Sequence, residues 1–76
     1  MKSIVVKDLP IRLGQFLKFA DLVQDGFEAK IRIQEGEVMV NGEVETRRGK
    51  QLSENDVVSY ANTSFTVCSS QPNPNK

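Results

Sequence analysis

Apolar residues follow two rhythms along this chain. Between residues 11 and 22, Leu13, Phe16, Leu17 and Ala20 recur at i, i+3, i+4 and i+7, one face of a helix. Pro10 suits the first turn of that helix, where a missing N–H is not needed. After a break at Gln24-Asp25-Gly26, a shorter helix is expected over residues 26–35. Asp25 stands as its N-cap and Glu28 three residues on, a capping-box spacing. Ala29 and Ile33 share one side of it, Phe27 and Ile31 another, and Gly36 is placed to end it in the left-handed conformation. From there the period becomes two. Val38 and Val40 alternate with Glu37 and Met39, and Asn41-Gly42 gives the dipeptide that best tolerates positive φ in a tight hairpin.

The return strand carries Val44, and residues 46–50, Thr-Arg-Arg-Gly-Lys, form a basic loop with Gly49 at its bend. Leu52 precedes a turn over residues 53–56. Residues 57–60 and 64–68 form a last pair of strands, and residues 2–7 an opening strand around Ile4, Val5 and Val6. The order is strand, two helices, then short strands. That order predicts an α+β fold, with two packed helices against a small, mostly antiparallel sheet. Residues 1–68 are expected to be one domain. Residues 69–76, with two prolines and no large apolar side chain, are expected to be a disordered tail.

The chain has 76 residues and a hydrophobic fraction of 38% without tryptophan, so its core is thin. With no histidine and a single cysteine, neither a zinc-finger ligand set nor an internal disulfide can be assembled. Cys68, in a strand-like run, reads as a small buried hydrophobe. The glycines are separated turn residues and make no phosphate-binding loop. The carboxylates Glu35, Glu37, Glu43 and Glu45 flank or alternate with apolar positions, as solvated charges do. An enzyme is not expected, nor a metal or other cofactor. The N-terminal segment does not read as a signal peptide, and no apolar run reaches the ~20 residues of a membrane span. A cytoplasmic monomer is the expectation.

Ten Lys and Arg balance ten Asp and Glu, so net charge alone does not favour a polyanionic partner. The distribution matters more. Lys18 stands beside the buried stripe of the first helix. Lys30 and Arg32 are two residues apart, so they point about 200° from each other around the second. Arg47, Arg48 and Lys50 crowd one turn, and arginine is the side chain best suited to bidentate phosphate contact. A solvated loop that protects a sheet edge is the competing reading.

The stretches RLGQFLKFADL, EAKIRIQEGEVMVNGEVETRRGKQL and NDVVSY resemble the S-four RNA-binding domain, above all its short stand-alone bacterial group. The resemblance covers residues 11–60, about two-thirds of the chain. It rests on Gly36-x-Val38-x-Val40-Asn41-Gly42, preceded by Ala29 and Ile33, and on Glu45-Thr46-Arg47-Arg48 with Lys50. It implies a helix pair and a hairpin, with structured RNA, ribosomal or transfer RNA, lying across the helices and the adjacent loop. Carried over by position, the RNA-facing candidates are Arg12, Lys18, Lys30, Arg32, Arg47, Arg48 and Lys50. Asn41 and Gly42 carry over as structural turn residues.

The chain also departs from the family pattern. Larger members often have Asp at Gly14, Gly at Ala20, a Ser-Arg pair at Asp25-Gly26 and Gly-Asp at Asn55-Asp56. The missing Arg at position 26 removes one expected phosphate contact. Few aromatics are left for stacking on bases, since Phe16 reads as core and Tyr60 and Phe65 as strand residues. The alternative function is a protein–protein adaptor that keeps the fold without the RNA contacts.

Overall fold

The computed structural model describes residues 2–69. The chain runs through β1 (Lys2–Val6), β2 (Ile11–Arg12), α1 (Leu13–Phe19), α2 (Gly26–Gln34), β3 (Val38–Val40), β4 (Glu43–Val44), β5 (Gln51–Leu52), β6 (Val57–Tyr60) and β7 (Thr63–Ser69). Five strands form one sheet in the order β1-β7-β6-β3-β4. Only the β1–β7 pair is parallel. The expected α+β architecture is present, and β2 and β5 add a second, two-stranded antiparallel sheet.

Period-two burial orients the large sheet. Val38 and Val40 of β3, Val58 of β6, and Phe65 and Val67 of β7 are buried. They share one cluster with Leu13, Phe16 and Leu17 of α1 and Ala29 and Ile33 of α2. The helix faces anticipated from the apolar spacing are therefore those that meet the core, with Ala20 packed at its edge. Cys68 is half-buried in β7, its thiol directed toward the Thr66 carbonyl.

Both helices stop by the same device. At the end of α1 the Asp21 N–H donates to the Lys18 carbonyl and the Leu22 N–H to the Leu17 carbonyl. At the end of α2 the Gly36 N–H donates to Ile33 and the Glu37 N–H to Arg32. This is the Schellman pattern, which needs a left-handed residue just past the helix. Gly36 takes it at φ 80°, as expected, and Asp21 takes it at φ 62°. Asp is one of the few residues with a side chain that tolerate that region. The α2 start also matches the sequence reading. Asp25 Oδ1 accepts from the Glu28 N–H at 2.9 Å, and Glu28 returns a bond to the Gln24 N–H, one residue earlier than a standard box.

The first helix is shorter than its periodicity suggests. Residues 11–22 were expected to be helical, but α1 occupies only Leu13–Phe19. Ile11 and Arg12 are extended and pair with Leu52 and Gln51. That contact is remote in sequence, so local periodicity carries no trace of it. Pro10 accordingly precedes β2 and is not a first-turn helix residue. At the C-terminus, Ser69 ends β7, and the rest of the expected tail, residues 70–76, lies outside the described residues.

Turn residues tie the strands together. Asn41 and Gly42 both have positive φ, at 53° and 86°. The Asn41 side chain also accepts from the Val57 N–H at 2.9 Å and donates to Asp56 at 3.2 Å. Asp56 accepts from the Ser53 N–H at 2.8 Å, and Asn55 is left-handed at φ 75°. The hairpin tip is thereby fastened to the turn that follows β5.

Phe16 is fully buried at the centre of this core. Phe16→Ala should lower stability by about 3–5 kcal/mol, the usual cost of emptying a large aromatic site. For a small domain with about 5 kcal/mol in total, that approaches complete unfolding. A urea titration with circular dichroism should show the midpoint collapsing toward zero denaturant. A midpoint close to that of the parent would mean that this residue does not anchor the helix pair.

Candidate nucleic-acid interface

The site is built around the start of α1. The first amides of a helix lack partners within it, and Arg12, at the N-cap, supplies no side-chain acceptor. The basic loop does so instead. The Leu13 N–H donates to the Lys50 carbonyl at 2.8 Å, and the Gly14 N–H donates to the Arg48 carbonyl at 3.0 Å. Gln15 adds a local bond, accepting from the Arg12 N–H at 3.3 Å. Residues 47–50 form a turn closed by the Lys50 N–H on the Arg47 carbonyl at 3.2 Å. Gly49 keeps out of the left-handed region that Gly36 and Gly42 use.

This docking sets the Arg48 backbone directly over Gly14. A Cβ on Gly14 would lie 3.5 Å from the Arg48 Cβ and 3.6 Å from its carbonyl oxygen. An alanine would just make contact, while a longer side chain would compete with Arg48 for the same space. Beside this contact lies an open groove of about 310 Å³, lined by Arg12, Gly14, Gln15, Lys18, Gly26, Arg48 and Gly49. Its glycines keep the lining low. Its charged groups are three cations, Arg12, Lys18 and Arg48, with no carboxylate among them. All three are exposed, and among the described residues none forms an ion pair.

The remaining candidates fall elsewhere. Arg32 is engaged by two acids, Glu37 at 3.3 Å and Glu28 at 3.6 Å. Its hydrogen bonds to Glu37, together with that carboxylate's charge, push the guanidinium pKa up. Its Nε is enclosed without a hydrogen-bond partner among the described residues. Arg47 binds Glu45 through Nε at 2.9 Å and Nη2 at 3.3 Å, and its backbone N–H adds a third bond at 3.0 Å. These contacts, the side-chain bond first, hold the Glu45 carboxyl below its ordinary pKa. Lys50 lines a separate depression with Arg47, Gln51 and Ser53. Lys30 is exposed on α2, on the opposite flank from Arg32. Thus Arg12, Lys18 and Arg48 converge, Lys30 and Lys50 are not among the residues that line their groove, and Arg32 and Arg47 are occupied by acids.

Sequence reasoning missed parts of this site. Gln15, Gly14 and Gly26 belong to the groove; the available signal for the first two was their spacing three and four residues before Lys18 on one helix, and for Gly26 its place where the family pattern has a contacting arginine. It also overlooked two aromatics. Phe16 is buried and Tyr60 and Phe65 are strand residues, as expected, but Phe19 and Phe27 are exposed. Among the described residues no helix is long and apolar enough to cross a membrane, and no three metal-ligating side chains gather.

The family model of the S4 domain matches residues 4–68, which takes in both helices, the hairpin, the basic loop and the last strand pair. The chain belongs to the S4 domain family. Within that S4 domain, the groove lies between the helix starts and the loop. Among its relatives is a Bacillus subtilis protein named "Probable ribosome maturation protein RlbA", 54% identical over 48 residues, covering 63% of this chain and 68% of the relative. Another is the Escherichia coli "Putative RNA-binding protein YbcJ", 39% identical over 57 residues, covering 75% of this chain and 81% of that protein. The solution structure of Escherichia coli YbcJ, described as revealing an alfaL motif involved in RNA binding, superposes with a TM-score of 0.67 at 35% identity. It covers 90% of this chain and 87% of the other.

The Arg47–Glu45 pair makes a direct expectation. A carboxyl whose folded pKa is depressed contributes stability above its unfolded pKa and loses it as pH falls through the folded value. The Arg47 anchor should therefore hold at neutral pH and loosen only in acid, below the ordinary carboxylate range. An NMR titration should find Glu45 titrating below the ordinary carboxylate range, and Arg47→Ala should return it toward that range. An unchanged Glu45 titration in that variant would show that Arg47 is not what holds it.

Proposed function

We propose that this S4 domain is a cytoplasmic RNA-binding module, not an enzyme, that holds the phosphate backbone of folded RNA in the Arg12–Lys18–Arg48 groove. The observation that carries the reading is the convergence of these three exposed cations, free of ion pairs among the described residues, on one low surface. Like charges brought together repel unless a counter-charge arrives, and a phosphate backbone supplies it. Two arginines favour phosphate in particular, since the guanidinium fork pairs with two oxygens at once. The start of α2 borders the groove at Gly26 and contributes its positive dipole end to the same surface.

Recognition of this kind is by shape and backbone, as expected for structured RNA. The names of the relatives narrow the class. One is called a ribosome maturation protein and another an RNA-binding protein. Ribosomal RNA is therefore the first candidate and transfer RNA the second. Residues 1–68 are proposed to act as one module. The neutral net charge does not oppose this reading, because Glu28, Glu37 and Glu45 are engaged by Arg32 and Arg47, outside the groove.

The test is a filter-binding titration against ribosomal and transfer RNA. Affinity should fall with salt, with a slope of about −2 to −4 in log K against log salt for three or four phosphates. Arg48→Glu and Lys18→Glu should each weaken binding by about tenfold and flatten the slope by about one unit. Arg47→Ala should change it far less, because Glu45 already occupies that guanidinium. Circular dichroism should show each variant folded, since none of these side chains is in the core. If the two reversals bind as the parent does while folded, the adaptor reading replaces this one.

A further inference from the structure

Phe27 is 71% exposed, the most exposed of the large apolar side chains among the described residues. It sits in the first turn of α2, directly after Gly26, which lines the cationic groove. At about 100° per residue, Lys30 projects about 60° from Phe27 on the Gly26 side, and Ile31 about 40° on the other. Ala29 and Ile33 turn away into the core. Around the helix, the order is therefore groove, Lys30, Phe27, Ile31. Glu28 lies on the far side and is held by Arg32 and the Gln24 N–H.

A solvent-exposed ring on the helix whose first residue lines a groove of cations is an arrangement that can read a nucleotide with its base out of the stack. Cations hold the phosphates, and the ring face takes the base. Aliphatic Ile31, 40% exposed one turn along, extends the apolar shelf. Phe19, 56% exposed, lines a neighbouring depression that shares Gln15 and Lys18 with the groove but also carries the carboxylate of Asp8, which disfavours a phosphate beside that ring.

We infer that Phe27 is a stacking platform for one unpaired base of the bound RNA, so that the RNA this domain selects is a helix interrupted by a bulged or looped-out nucleotide. The inference rests on the RNA-binding reading and adds a selectivity to it. Charge complementarity decides for RNA as occupant over an apolar protein segment. A base brings its own phosphates, which the adjacent Arg12, Lys18 and Arg48 can hold, with Lys30 standing between groove and ring.

The test compares two synthetic RNA hairpins, one with a single bulged adenosine in its stem and the same hairpin fully paired, by fluorescence anisotropy. The parent should bind the bulged hairpin more tightly. Phe27→Ala should lose about tenfold on the bulged hairpin and little on the paired one, abolishing the preference. Phe27→Trp should keep it. Arg48→Glu should weaken both hairpins alike. Phe27 is outside the core, so circular dichroism should show these variants folded. If the parent shows no preference, or Phe27→Ala retains it, the stacking inference is overturned. Loss of both hairpins in Arg48→Glu would then still uphold the groove. If Arg48→Glu also binds both hairpins like the parent, the RNA reading itself falls, and the Phe27–Ile31 shelf is left to a protein partner.

Discussion

Helix α1 starts without a side-chain cap, and its first amides are satisfied by the backbone of a loop far along the chain. The Leu13 and Gly14 N–H groups donate to the Lys50 and Arg48 carbonyls, and the β2–β5 pair extends the contact from Arg12 and Gln51 to Ile11 and Leu52. Leaving such groups unpaired in a folded domain costs on the order of 1–3 kcal/mol each. The loop is thus held in place by a requirement of the helix. One consequence is conformational: a run of three cations that could wander in solvent is pinned at its backbone. The other is electrostatic: Arg48 is brought over Gly14, next to Arg12 and Lys18.

Carboxylates then sort the cations. Glu45 takes Arg47, and Glu28 and Glu37 take Arg32. These exposed pairs contribute little to stability individually. Their effect is on the distribution of free charge, since the cations left unpaired in the groove face one way. A chain of zero net charge can in this manner present a locally basic surface. The anchoring at the other end of the loop is equally specific. Asn41 bonds the hairpin tip to Asp56 and Val57, and Asp56 in turn holds Ser53, just after β5.

Most of the fold was legible in local sequence because its signals are local. The apolar faces of both helices, the Asp25 cap, the Gly36 stop and the Asn41-Gly42 turn all act within a few residues. What escaped was non-local. Ile11 and Arg12 look like the first turn of a helix until Gln51 and Leu52 pair with them. The site divided along the same line. The candidate cations could be named from the sequence, but which of Arg47 and Arg48 is free depends on Glu45 and on where the loop docks. Phe27 was visible as a residue on the face opposite Ala29 and Ile33. Its bearing on the groove required knowing that Gly26 lines it.

In the function proposed above, the loop docked on α1 makes the surface that RNA contacts. Amide chemical shifts of isotope-labelled protein, followed while a fully paired RNA hairpin is added, test it most directly. Shifts should concentrate at Gly14, Lys18, Gly26, Arg48 and Gly49, with Glu43, Ala61 and Asn62 unmoved. Shifts centred on the β3–β4 hairpin or the β6–β7 turn, with the groove amides silent, would contradict it.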